Sequence, residues 1–242
     1  MDVTSANAVL AVMGPRARDI LKPLTEDDLS TAVFPFATAR EIRLAGAPIL
    51  AVRITYVGEL GWELHVPVEF AVTVYDAIMA AGAPLGLVDG GYRAIESMRL
   101  EKFYHAWGAD IGRDHTPAMA GLGWAVKLRG DKEFQDRAAL EREAASPLPR
   151  RLAGFTVADP DAVLLGRETI FRNGAPLGWL TSGGFGHTVG KSIGYGYIRH
   201  ADGVDATFIR AGRYELEIAC ERLPAEVFLV PPYDPAGERV RA

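Results

Sequence analysis

Little in this 242-residue chain points to metals, disulfides or polyanions. It holds a single cysteine, Cys220, in a stretch that reads as an ordinary strand position. One cysteine excludes an internal disulfide framework and a thiolate zinc cage, and a reducing compartment, the cytoplasm, is expected. The histidines His65, His105, His115, His187 and His200 are scattered, with no pair at helical ligand spacing, so no metal site is expected. Lysine and arginine number 26 against 31 aspartates and glutamates, a net charge of -5. With a pI near 5.6 there is no basic footprint for nucleic acid. The opening MDVTSANAVLAV lacks a positive leader region, and no run reads as the roughly 18 apolar residues of a membrane span. No membrane partner is expected.

What is present divides into two grammars. Ala8 to Val12 reads as a strand, and Pro15 introduces a helix over 16–24 with Ala17, Ile20, Leu21 and Leu24 on one face. Thr38 to Leu44, Pro48 to Tyr56 and Trp62 to Val66 read as strands, the first two joined at Ala45-Gly46-Ala47. A helix over 69–81 follows. This order predicts an α+β class, with a ferredoxin-like split βαβ unit in residues 1–143. Glu141 to Arg151, with its charges and two prolines, reads as a domain edge. Beyond it short strands recur at 152–157, 168–172, 177–181, 192–199, 206–209 and 214–220, with a hairpin signal at Asn173-Gly174. They predict a small β-barrel in residues 150–242.

The richest chemistry lies between Gly90 and Leu128. A helix-like run places Tyr92, Ile95, Met98 and Leu100 or Phe103 on an apolar stripe and Arg93 and Glu96 off it. Those charges read as a solvated face tied by local ion pairs or as ligand contacts. Asp110, Asp114 and His115 form either an acid–base cluster or a polar loop closing its own turn. In YVGELGWELHV, alternation sends Trp62, Leu64 and Val66 to one face and Glu63 and His65 to the other. Glu63 is then either one side of a wet strand face or an acceptor for two parallel N–H donors. The run GGFGHTVGKS resembles a phosphate loop, but the required first glycine is Phe185 and a strand-like segment follows, so a glycine-bent loop between barrel strands is expected.

Five segments, VTSANAVLAVMGPRARDIL, YVGELGWELHVP, GYRAIESMRLEKFYHAWGADIGRDHTP, GWLTSGGFGHTVGKSIGYGYI and VPPYDP, stand in an order that resembles the glycine-cleavage T-protein (aminomethyltransferase) superfamily. They are most similar to the folate-binding C-terminal part of dimethylglycine and sarcosine dehydrogenases. The resemblance covers essentially the whole chain and implies a tetrahydrofolate pocket. It implies that Glu63 grips the pterin ring, that Arg93 meets the folate tail, that Tyr233 is the C-terminal aromatic contact and that Tyr56 lies beside the pocket. The implied reaction passes a one-carbon unit from an amine such as sarcosine or dimethylglycine to tetrahydrofolate. The family's longer N-terminal part, which carries its catalytic aspartate, has no counterpart before Val3, so no residue is assigned a catalytic role and the T-protein domain is expected to be incomplete. There is no dinucleotide fingerprint for a flavin, which makes a flavin-dehydrogenase subunit or domain an expected partner. A non-catalytic folate-binding module and an O- or S-demethylase are the alternatives the resemblance leaves.

Overall fold

The computed structural model describes residues 1–242 in two compact units. The first comprises residues 1–99 with 234–242, the second residues 100–233.

In the first unit, strands β1 (Asn7–Met13), β2 (Ala39–Leu44), β3 (Ala47–Val52) and β4 (Gly61–Pro67) form an antiparallel sheet in the order β1-β4-β3-β2. Because β4 pairs antiparallel with both β1 and β3, those two run parallel with β4 between them, the expected split arrangement. Ala45 and Gly46 both have positive φ, at 49° and 83°, which matches the hairpin twist joining β2 to β3. Helices α1 (Ala17–Leu21) and α2 (Ala71–Gly82) cover one face. Trp62, Leu64 and Val66 are wholly buried there with Val12, Ile20, Leu21, Val74 and Ile78. Each such side chain contributes roughly 1.5–3 kcal/mol. Alternation therefore leaves Glu63 and His65 on the opposite face.

Val68–Leu85 is apolar and long enough, by composition, to cross a membrane, which the count of apolar residues in sequence missed. In the fold it is α2 flanked by two 3-10 turns, with Val74 and Ile78 turned into the core. The C-terminal turn α6 (Glu238–Arg241) belongs to this unit. Helix α3 (Tyr92–Glu101) carries the chain from the first unit to the second.

The second unit holds α4 (Arg137–Ala144) and a closed barrel. Its strands are β5 (Arg150–Val157), β6 (Thr169–Arg172), β7 (Ala175–Gly186), β8 (Lys191–Arg199), β9 (Tyr214–Ile218) and β10 (Glu221–Phe228), in the order β10-β5-β8-β7-β6-β9. Closure removes every free strand edge. Small residues permit it: a Cβ on Gly178 would lie 2.0 Å from the carbonyl oxygen of Tyr197.

Two local expectations are corrected. Residues 206–209, read as a strand, lie in α5 (Ala206–Arg210), because the Asp205 carboxylate caps it by accepting from the Phe208 N–H at 2.6 Å. Cys220 is not in a strand: Ala219 and Cys220, at φ 49° and 70°, form the exposed two-residue turn between β9 and β10. Residues 141–151 comprise the end of α4, a short connection and the first two residues of β5.

Candidate functional site

Glu63 sits in the middle of β4, opposite Ala11 on β1 and Val52 on β3. Both neighbours are apolar, and its carboxylate makes no hydrogen bond or ion pair with the chain. It is half-buried on the sheet face that α1 and α2 leave uncovered. A carboxylate held on a rigid central strand, partly shielded from water and without a protein donor, retains its full accepting capacity.

Tyr56 lies in the segment between β3 and β4, half-buried, with its backbone N–H directed at Met13 Sδ at 3.5 Å. Met13 pairs with Gly61, two residues along from the Ala11–Glu63 pair. The backbone of Tyr56 is thus anchored about 7 Å along the strand from the register of Glu63. Nearby Glu59 faces Arg239 at 3.7 Å, so the two glutamates of the turn region are in different states, one paired and one open.

Arg93 occupies the first turn of α3, is exposed, and makes no hydrogen bond or ion pair. Two residues on, Ile95 lines a cavity of about 250 Å³ with β1 residues Val9 to Val12 and α2 residues Ile78 and Met79. This places the start of α3 beside the β1 edge. Tyr233 belongs to the second unit; its N–H donates to the Glu101 carbonyl at 3.1 Å and its ring lies 5.9 Å from Lys102 Nζ. Glu63, Tyr56 and Arg93 therefore share one unit and Tyr233 stands in the other.

The remaining charges of the Gly90–Leu128 stretch mostly shape the fold. The stripe expected on α3 is not followed at its start, since Tyr92 is 79% exposed. Conversely Arg99 is buried and bonded to Glu96 at 2.6 Å, so the charged side of this helix is not simply a solvated face. Glu101 is buried, and its Oε1 accepts from the backbone N–H groups of Thr188 and Val189 at 2.6 and 2.7 Å. Phe103, in the left-handed region at φ 57°, ends the helix region with its ring edge-on to Tyr195 and Phe228. Asp110 is fully buried, accepting from Thr181 Oγ1 and the Ala106 N–H at 2.5 and 2.9 Å. It closes a polar loop, the structural member of the two readings of the Asp110–His115 cluster. The GGFGHTVGKS run spans the β7–β8 hairpin, a glycine-bent connection as expected.

One buried charge escaped the sequence reading. Arg53 is fully buried, 5.5 Å from the Trp62 ring, and donates to the carbonyls of Phe34 and Ala242. Burial, aided by Arg18, lowers its pKa. The signal was a lone arginine ending the apolar run PILAV.

Comparison with known proteins accounts for this frame. The model of the GCVT N-terminal domain matches residues 1–130, and that of the glycine cleavage T-protein C-terminal barrel domain matches residues 150–234. The chain belongs to the glycine cleavage T-protein family. It is 44% identical to mitochondrial sarcosine dehydrogenase of Mus musculus over all of this chain and 26% of that protein. It is 40% identical to mitochondrial dimethylglycine dehydrogenase of Homo sapiens over 81% of this chain and 23% of that one. The crystal structure of the glycine cleavage system aminomethyltransferase T from Bartonella henselae superposes with a TM-score of 0.74 at 24% identity, covering 94% of this chain and 60% of that one. The chain thus spans about a quarter of the length of these dehydrogenases.

Proposed function

We propose that this chain is a tetrahydrofolate-binding, one-carbon-transfer module that receives its one-carbon unit from an amine such as sarcosine or dimethylglycine. The observation that carries the reading is the Glu63 carboxylate, half-buried on a central strand with no partner of its own. An aminopyrimidine edge presents two parallel N–H donors, and a carboxylate accepts both in a charge-assisted pair. The donor set therefore fits the group. Arg93, exposed and unpaired at the start of α3, supplies a cation suited to the carboxylates of a folate tail. Tyr56 and Tyr233, each half-buried, are aromatic surfaces suited to a flat ring.

Tetrahydrofolate would supply the nucleophilic nitrogen that accepts the one-carbon unit. The chain's own task is to bind that group in one orientation and keep water from the electrophilic carbon. None of Glu63, Arg93, Tyr56 and Tyr233 is assigned proton transfer. Oxidation of the amine belongs to a flavin-containing partner, a role supported by the dehydrogenase relatives of which this chain matches only a part. Trp107 and Trp124, 74% and 83% exposed on an irregular stretch of the second unit, are consistent with a chain that works within a larger assembly. A cytoplasmic location is proposed on the lone, exposed, unpaired Cys220.

The test is turnover. The chain is combined with tetrahydrofolate, sarcosine and a flavin-dependent sarcosine dehydrogenase that lacks a folate domain, and methylenetetrahydrofolate is followed. The reading requires a rate above that of the dehydrogenase alone, returned to background by Glu63→Gln. A wild-type rate at background would contradict the transferase and leave the non-catalytic binding module.

A further inference from the structure

The barrel carries an arrangement of cations that the folate reading does not use. Arg150 opens β5 and Arg199 closes β8, and the two are direct cross-strand partners. Like charges in that relation repel, because the Cβ atoms of directly opposed residues lie roughly 5 Å apart. Both line one cavity of about 440 Å³, and Arg167 joins them in its wall. Arg167 has φ 84°, a left-handed backbone that disfavours a side-chain-bearing residue, and it is fixed there by its N–H to the Leu180 carbonyl at 2.8 Å. None of the three is paired with a carboxylate.

Their surroundings hold them in place without neutralising them. The Arg199 guanidinium lies 4.4 Å from the Trp179 ring centre. Arg150 lies 5.6 Å from the Tyr197 ring and donates to the backbone carbonyl of Asp114. His115 stacks on Tyr197 at 4.5 Å, and its pKa is lowered by burial and then by Arg150. The only carboxylate in the wall is that of Asp114, so three guanidiniums face one opposing charge. Asp110, behind the wall, is engaged by Thr181 and the Ala106 N–H. In a chain of net charge -5, this is a local surplus of positive charge in a recess.

We propose that this cavity binds a small dianion, a phosphate monoester or a dicarboxylate, through Arg150, Arg167 and Arg199. Guanidiniums match both anions because each offers parallel donors to two oxygens, and the bound charge relieves the cross-strand repulsion. The site lies wholly within the second unit and does not depend on the folate reading.

The purified chain is titrated calorimetrically at low ionic strength with phenyl phosphate and, separately, with glutarate. Saturable binding is expected for at least one, weakened about tenfold or more by Arg199→Gln and by Arg150→Gln. Lys191→Gln, on the same barrel but outside the cavity, should bind as wild type does. The class that binds more tightly identifies the source of the anion. Melting curves give a second readout: the wild type is stabilised by the bound anion, while Arg199→Gln folds without it and gains less from the same anion concentration. Absence of saturable binding by either anion, or equal weakening by Lys191→Gln, would overturn the proposal.

Discussion

Replacing Glu101 tests the idea that the charged stretch around α3 builds the second unit from inside. Its carboxylate accepts two backbone N–H groups, of Thr188 and Val189, at 2.6 and 2.7 Å. Gly186 is shaped to the same contact, since a Cβ there would lie 3.0 Å from Glu101 Oε1. In Glu101→Ala both donors lose their acceptor, at about 1–3 kcal/mol each when water cannot substitute. Thr188 is exposed, so water replaces part of the loss and the total should be about 2–3 kcal/mol. Glu101→Gln keeps an acceptor oxygen without the charge and should cost about 1 kcal/mol. Urea denaturation measures both, and amide exchange should show Thr188 and Val189 losing protection in the alanine variant before the rest of the barrel does. An alanine variant within about 0.5 kcal/mol of wild type, with those amides still protected, would refute the reasoning.

Two further outcomes follow from the barrel. Gly178→Ala places a Cβ 2.0 Å from the Tyr197 carbonyl oxygen, a backbone atom that cannot swing away, so it should destabilise the barrel by about 3 kcal/mol or more in the same denaturation assay. His115 has its pKa lowered, chiefly by burial. Between that lowered value and the ordinary 6.5 the unfolded chain binds more protons than the folded one, so this residue's contribution to stability falls as pH drops below about 6.5. Melting temperatures from pH 7.5 down to 5 should therefore decline less steeply in His115→Gln than in wild type.

The sheet was legible because a half-covered antiparallel sheet writes its burial into alternating residues: Trp62, Leu64 and Val66 against Glu63 and His65. The barrel was legible from strand spacing and from Asn173-Gly174, whose φ values of 51° and 84° are those the hairpin needs. What escaped depends on context. Five residues of α5 are too few for periodicity, and only the cap at Asp205 separates them from a strand. The Ala219–Cys220 turn uses residues that carry no turn signal, so the strand was drawn through it. On α3, Arg99 is buried against Glu96 while Tyr92 is exposed, an inversion that hydrophobic spacing cannot encode. For the candidate site, alternation placed Glu63 on its face, but that its carboxylate lacks a partner, as Glu59 does not, is visible only in three dimensions. The Arg150–Arg199 opposition requires the β5–β8 register, which residues nearly fifty positions apart do not announce.

The most direct measurement is a calorimetric titration of the chain with tetrahydrofolate, run beside Glu63→Gln with the melting temperature of each recorded. Glu63 has no protein partner to lose, so the variant should melt within about 1 °C of wild type. Its affinity should fall about 10- to 100-fold as the charge-assisted pair is reduced to one weaker contact. Equal affinity in the two folded proteins, or no binding by the folded wild type, would contradict the assignment of Glu63 as the residue that holds the folate ring.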